Sequence, residues 1–203
     1  MKQAHFKGHL FCIMGKSCTG KDTLYKALLS DPTLGLRPLV TYTTRPMRIG
    51  ELEGVDYHFV TPEDLRAYEA VGELIEERIY QTVHGPWHYA TVADNQLRDG
   101  SEKYLSIVTL AAYKALAAYF GQKRVIPLYI SVDDYELITR AVARESKECK
   151  PNYKEVCRRF LADAQDFSEE ELELAGIQQV FLNREVAACT EQLRRAILDK
   201  ELR

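Results

Sequence analysis

The chain has 203 residues, 46% hydrophobic and 28% charged, with a formal net charge of −3. This suits one α/β domain with room for small inserted lobes and does not resemble a disordered chain. It also lacks the global basic field of a dedicated nucleic-acid binder, so any anionic ligand must be held by a local cluster of Arg and Lys.

His9–Met14 (HLFCIM) predicts a buried strand, and Lys21–Ser30 predicts the helix that follows, ended by Asp31-Pro32. Leu39–Thr43 predicts a second strand, followed by a polar loop from Thr44 to Asp56 and a short strand at Tyr57–Val60. Thr61-Pro62-Glu63-Asp64 reads as a helix start, with Thr at the N-cap, Pro at N1 and an acid at N3. Ile75–Val83 alternates in the manner of a strand, His84-Gly85-Pro86 interrupts it, and Trp87–Ala90 resumes it. Tyr104–Thr109 and Arg124–Ser131 predict two core strands, with a helix at about Ala111–Phe120 between them. Ser131–Asp134 caps a helix running toward Lys147, and Lys150-Pro151-Asn152 breaks it. One long helix is expected from Tyr153 to Leu174, ended by Gly176. Gln178–Leu182 then predicts a last strand and Glu185–Asp199 a closing helix.

The βαβα order predicts a mostly parallel core sheet flanked by helices. Residues 41–91 depart from it, because short strands cluster there without long helices, so a separate small β-rich lobe is expected. The five cysteines (Cys12, Cys18, Cys149, Cys157, Cys189) form no CxxC pair, which suits a reduced intracellular protein. Met1–Gly8 has no apolar h-region, and no apolar run approaches the ~20 residues of a membrane span. A soluble, cytoplasmic protein without membrane or nucleic-acid partners is therefore expected.

The first chemical signal is Gly15-Lys16-Ser17-Cys18-Thr19-Gly20-Lys21-Asp22-Thr23, a GxxxxGK P-loop between a strand and a helix. Its glycines let backbone N–H groups turn toward phosphate oxygens, the helix N-terminus adds positive potential, and Lys21 supplies a mobile charge. After the lysine such loops carry Ser or Thr to bind Mg²⁺, but this chain has Asp22 and then Thr23. Either Asp22 coordinates or orients Mg²⁺, or it caps the helix and Thr23 takes part of that role.

The second signal runs from Val40 through Thr41-Tyr42-Thr43-Thr44-Arg45-Pro46-Met47-Arg48-Ile49-Gly50-Glu51 to Gly54-Val55-Asp56-Tyr57-His58-Phe59. Two arginines flank a stiffening Pro, with hydroxyls before them and Glu51 and Tyr57 after them. Arg is suited to bidentate phosphate recognition, so this loop can clamp a monophosphate dianion. A merely solvated basic loop accounts for each arginine singly but not for the arrangement.

TTRPMR-x-GE-xx-G-x-DYHF resembles the GMP-binding signature of guanylate kinases, and the likeness extends over nearly the whole chain. It implies a P-loop NTPase fold with a parallel core sheet, a small mixed-β nucleotide-binding lobe and a helical lid. The corresponding division is core 1–38, 92–134 and 175–203, GMP lobe 39–91 and lid 135–174. It implies that Arg45, Arg48, Tyr57 and Tyr89 bind the GMP phosphate, that Glu51 orients the arginines, and that Thr41, Glu76 and Thr91 face guanine. Glu76 lies in Leu74-Ile75-Glu76, similar to the family's F-[IL]-E, and Tyr89-Ala90-Thr91 stands where relatives carry Tyr-Gly-[ST]. The chemistry supports this independently, since guanine presents N1–H and N2–H donors that one carboxylate can accept and adenine does not. The plainer alternative makes Glu76 and Glu77 surface charges on a strand.

Arg140 and Arg144 share a helix face at i, i+4, and Arg158-Arg159 follow the Lys150-Pro151 break. This resembles the family's lid, with Arg140, Arg144 and Arg159 reaching the transferring phosphoryl; solvated helix faces are the alternative. Asn183 matches an asparagine near adenine, although Arg184 departs from the usual Asp. Where relatives carry carboxylates near the metal, the strand Tyr104–Thr109 has Ile107 and Thr109, which suggests that the acid governing Mg²⁺ has moved to Asp22. His84 and His88 cannot form a helical zinc pair across Gly85-Pro86. Cys149 and Cys157 lack ligand spacing, and Trp87 suits the lobe's core. The implied activity is ATP-dependent phosphorylation of GMP and dGMP with Mg²⁺. The alternatives are a kinase of another nucleoside or sugar phosphate on the same frame, or a non-catalytic binding module.

Overall fold

The apolar run of β1 (His9–Met14) is buried from Leu10 onward, as a central strand covered on both faces requires. The computed structural model describes residues 6–82, 85–94, 97 and 102–201. With β2 (Leu36–Pro38), β7 (Lys103–Ile107), β8 (Val125–Ser131) and β9 (Val180–Leu182), β1 forms a five-stranded sheet of order β2-β7-β1-β8-β9. The core sheet is parallel, and its last pair sets Ile130 of β8 opposite Phe181 of β9. The second sheet has the order β4-β3-β6-β5, from β3 (Tyr42–Thr43), β4 (His58–Phe59), β5 (Leu74–Thr82) and β6 (Gly85–Val92). β3 pairs parallel with β4 and antiparallel with β6, so the small sheet is mixed. β5 and β6 form an antiparallel ribbon that sets Glu76 opposite Thr91 and Arg78 opposite Tyr89.

Seven helices occur among the described residues: α1 (Lys21–Leu29), α2 (Pro62–Ala70), α3 (Leu110–Phe120), α4 (Asp134–Glu145), α5 (Tyr153–Asp166), α6 (Glu169–Leu174) and α7 (Val186–Glu201). No described helix is long and apolar enough to cross a membrane. The chain divides into two compact units. One takes the chain up to Leu10 with Arg37–Ser106 and Ala111–Val125, and the other takes Phe11–Leu36, Ile107–Leu110 and the chain from Ile126. In the first unit the small sheet packs Tyr42, Ala90 and Val92 on Leu65 of α2, with Val60, Tyr68 and Leu74 around them. In the second, α1 packs on α7 and α4 on α5.

Two expected elements differ from the structure. Leu39–Thr43 is not one strand: Leu36–Pro38 belongs to the larger sheet and Tyr42–Thr43 to the smaller. Pro38 has no N–H to extend a ladder, and after Leu39 N donates to Leu105 O the chain leaves the first sheet for the second. The long helix expected from Tyr153 to Leu174 is broken at Phe167-Ser168. Phe167 turns inward to stack on Tyr129, with centroids 5.6 Å apart, and Ser168 caps α6 by accepting from Glu171 N. The strand expected over Ile75–Val83 begins at Leu74, and Val83 and His84 lie outside the described residues.

The start of α2 is built as the sequence predicts. Thr61 Oγ1 accepts from Asp64 N at 3.2 Å, and Asp64 Oδ2 accepts from Thr61 N at 2.8 Å, with Pro62 between them. Thr61→Ala is expected to lower stability by about 1 kcal/mol, the usual worth of such a cap. Urea titration checks this, and an unchanged midpoint would mean that Leu65 packing alone holds the helix.

Candidate active site

The P-loop takes its shape from two glycines. Gly15 has φ +150°, and a Cβ there would lie 2.2 Å from Ile130 O; at Gly20, with φ +86°, it would lie 2.6 Å from Asn183 Nδ2. Between them Cys18 holds φ +64°, the left-handed region that costs an L-residue roughly 1–2 kcal/mol. Gly20 is the N-cap of α1 and offers no side chain to the first-turn N–H groups, which suits a loop meant for an anion. Asp22 lies inside the first turn, exposed, and is not the cap, so of its two sequence readings the capping one is corrected. Thr23 is exposed beside it.

Lys21 lies folded over its own loop. Its Nζ donates to Gly15 O and Lys16 O, both at 2.7 Å, and to Thr19 Oγ1 at 3.4 Å. Burial pushes its pKa down, while Asp163 and then Asp22 act against that shift. Lys16 pairs with Asp134 at 2.9 Å and lies over the Phe160 ring. Asn183 is buried against the loop: Nδ2 donates to Thr19 O at 2.8 Å, while Oδ1 has no partner. Its side chain thus ties the P-loop to the end of β9.

The three lid arginines of the sequence come together at this loop. Arg140 bonds Glu136 through Nε at 2.8 Å and donates to Cys18 O at 3.4 Å. Arg144 and Arg159 line a cleft with Lys16, Cys18, Phe160 and Asp163. Glu155 gathers Arg158 and Arg159 at 2.7–2.8 Å, and these bonds pull its carboxyl down to about 2. Asp163, which the sequence reading did not single out, accepts from the backbone N–H of Ser17. A carboxylate thus holds a P-loop donor suited to a phosphate oxygen. The available signal was its i, i+4 spacing from Arg159 on α5.

The second cluster lies in the other unit. Arg45 is 4% exposed, and its two Nη atoms bond the two oxygens of Glu51 at 2.7 Å each. Nη1 also donates to Pro46 O, and the guanidinium lies over the Tyr57 and Phe59 rings at 5.2 and 5.6 Å. Its Nε is buried with no partner. An unmet buried donor on a cation is costly, and its presence points to an anion as the missing acceptor. Glu51 also accepts from Arg48 N at 2.8 Å. These contacts hold its carboxyl at about 2 against an ordinary 4.5, with the Arg45 bond the largest cause.

Tyr57 and Tyr89 meet edge-on with centroids 5.8 Å apart, and burial pushes the Tyr57 hydroxyl up. The Arg48 side chain is exposed, so the two arginines of the loop differ in kind. Thr41 is half-buried and accepts from His58 N through its carbonyl. The Glu76 side chain is 7% exposed; Thr91 Oγ1 donates to it at 2.7 Å and Arg78 Nε at 3.1 Å. The surface-charge alternative therefore fails for Glu76, whereas Glu77 lies on the opposite face and pairs with His88. Thr43, missed in the sequence, is fully buried: its Oγ1 donates to His88 O and accepts from Arg45 N. Asp94 was also missed, and accepts from the Tyr42 hydroxyl at 2.6 Å.

Among the described residues no group of three or more His, Cys, Asp or Glu side chains is placed to hold a metal. Asp22 and Thr23 nevertheless offer oxygen donors at the loop, the donor class that suits Mg²⁺ when substrate phosphates complete the shell.

The guanylate kinase family model matches residues 7–199. A guanylate kinase of Symbiobacterium thermophilum is 29% identical over 199 residues, covering 97% of this chain and 88% of that one. One from Cupriavidus pinatubonensis is 31% identical over 202 residues, covering 98% and 86%. The crystal structure of guanylate kinase from Anaplasma phagocytophilum has a TM-score of 0.66 at 20% identity, covering 97% of this chain and 87% of that one, a likeness of fold alone.

Two measurements follow from this geometry. Because Glu51 titrates lower in the folded protein than in the unfolded one, its contribution to stability is complete above about 4.5 and is lost as pH falls toward about 2. Glu51→Gln should flatten that part of the stability–pH curve in thermal melts, and parallel curves would show that the pair contributes nothing there. Asp163→Asn removes the charge that competes for the P-loop, so ATP should bind about 3–10-fold tighter by calorimetry. Weaker binding would instead make Asp163 a supporting residue of the bound state.

Proposed function

The chain belongs to the guanylate kinase family, and we propose that the two residue clusters above carry that family's reaction, ATP + GMP = ADP + GDP, with dGMP as a further acceptor. The observation that carries the assignment is Arg45, buried and fixed by Glu51, with one unmet donor beside Tyr57 and Tyr89. On this reading residues 39–91 form the acceptor lobe, 135–174 the lid, and 1–38, 92–134 and 175–203 the core. The protein works in the cytoplasm.

Arg45 Nε, Arg48, Tyr57 and Tyr89 bind the acceptor phosphate, and Glu51 keeps the Arg45 fork from turning. Glu76 accepts guanine N1–H and N2–H, with Thr91 and Thr41 completing the base site. Thr91 Oγ1 and Arg78 Nε each bond one oxygen of Glu76 in the free protein, and the base brings two further donors to that carboxylate. At the donor side the backbone of Gly15–Gly20 cradles the ATP phosphates, and Lys21 exchanges two loop carbonyls for phosphate oxygens. Asn183 acts by holding Thr19 and Gly20 in place. Asp22 and Thr23 would hold Mg²⁺, which when bound offsets phosphate charge.

The chemical step is in-line: a GMP phosphate oxygen bonds to the γ-phosphorus as its bond to the β,γ-bridging oxygen breaks, and ADP leaves with the electron pair. No protein side chain is phosphorylated. Lys21, Arg140, Arg144 and Arg159 stabilise the charge that spreads over the transferring group, so catalysis is positioning plus electrostatics.

A coupled assay with ATP against GMP, dGMP, AMP, UMP and CMP is expected to give turnover with the two guanine nucleotides. Turnover with a non-guanine nucleotide instead would refute the base assignment, and turnover with none would leave a binding module. Lys21→Ala should lower kcat about 10²–10³-fold while circular dichroism and acceptor binding stay unchanged.

A further inference from the structure

Arg78 belongs to none of the motifs read from the sequence, yet it occupies the middle of the acceptor face. On β5, Glu76, Arg78 and Tyr80 alternate onto one face, and on β6 Thr91 stands opposite Glu76 and Tyr89 opposite Arg78. Arg78 thus lies between the pair assigned to the base, Glu76 and Thr91, and a tyrosine assigned to the phosphate. Its charge also reaches Tyr57, where Arg45 and Arg78 both act to lower a hydroxyl pKa that burial raises.

The bond that holds Arg78 is incomplete. It gives only Nε to Glu76, at 3.1 Å, and no hydrogen bond from its Nη atoms to a described residue is present. A bidentate fork such as Arg45–Glu51 would use both Nη donors, as the neighbouring pair does. The Glu76 side chain is 7% exposed and that of Arg78 29%, so the carboxylate is the more desolvated partner and depends on its donors. A base that brings two N–H donors to Glu76 supplies what Arg78 supplies in the free protein. The hold on Arg78 then weakens, and its charge becomes available to the acceptor phosphate.

Resting on the acceptor assignment above, we propose that Arg78 is a specificity-determining acceptor residue: Glu76 restrains it in the free protein, and the correct base releases it to bind the acceptor phosphate. Base recognition and phosphate binding are then coupled through one ion pair. A base without the donor pair leaves Arg78 on Glu76 and loses twice, once at the base edge and once at the phosphate.

The test uses ribose 5-phosphate, which presents the phosphate without a base, alongside GMP, with the full-length protein. In Glu76→Gln the restraint is weakened before any base arrives, so ribose 5-phosphate should bind about tenfold tighter than to the wild type by calorimetry. In Glu76→Gln/Arg78→Gln that gain should vanish. Arg78→Gln alone should lower kcat/KM for GMP about 10–100-fold and leave ribose 5-phosphate binding unchanged, while Arg78→Lys recovers part of the loss. If Arg78 only neutralises Glu76, Glu76→Gln will not tighten ribose 5-phosphate, and the Glu76→Gln/Arg78→Gln variant will bind it like Glu76→Gln; either result overturns the proposal. A wild-type protein that does not phosphorylate GMP defeats the acceptor assignment itself. A wild type that does, with ribose 5-phosphate indifferent to Glu76→Gln, defeats only the role of Arg78.

Discussion

A cation buried in a protein must be held there by its surroundings, and the fork between Arg45 and Glu51 does this beside the smaller sheet. Both Nη atoms are spent on Glu51, and the Tyr57 and Phe59 rings cover the guanidinium. Thr43 fixes the Arg45 backbone, and Glu51 reaches back to Arg48 N, so the loop closes on itself around one ion pair. What remains is a single directed donor, Nε, in a place where no protein group meets it. The surrounding small sheet can be read as the scaffold this arrangement needs. Tyr42 and Thr43 place the loop, His58 and Phe59 pair beside them, and β6 brings Tyr89 across.

The P-loop follows the same rule with different parts. Its donors and cations have acceptors of the same unit as partners: Asp163 on Ser17 N, Asp134 on Lys16, and loop carbonyls on Lys21. Two helices supply both acids, since Asp134 opens α4 and Asp163 lies on α5. On the proposed reading, phosphate binding there exchanges these acceptors for phosphate oxygens. The helices that carry the arginines expected at the transferring phosphoryl also carry the carboxylates that must give way.

How much of this was legible in the sequence depended on whether a residue acts through local spacing. The GxxxxGK turn, the Arg45–Glu51 loop and the Thr61–Asp64 cap are short-range patterns, and they fold as their spacing indicates. Leu39–Thr43 misled because one apolar run serves two sheets, and apolarity carries no information about which sheet a residue joins. The break at Phe167 was hidden because Phe and Ser both fit a helical pattern; the stack on Tyr129, distant in sequence, decides it. The contacts of Asp163 and Asp94 were hidden for a related reason, since their partners Ser17 and Tyr42 lie far away along the chain. Arg78 is the exception. Its i, i+2 relation to Glu76 in an alternating strand placed both on one face, and only the absence of a motif kept it out of view.

These internal pairings bear on how such a site achieves selectivity with a chain of net charge −3. An open cluster of arginines would attract any phosphate, including abundant ones with no base. Here Arg45 is paired with Glu51, Arg78 with Glu76 and Lys16 with Asp134, so a bare phosphate meets three cations that already have a carboxylate partner. Each ligand gains only the difference between its own contacts and those it replaces, which lowers affinity but sharpens discrimination. The gain is largest for a ligand that can satisfy the released carboxylate as well as the released cation. At Glu76 that requires two N–H donors on one edge, and guanine has them. Selectivity on this account lies in the carboxylates that restrain the cations, and the arginines supply affinity only once those restraints are met.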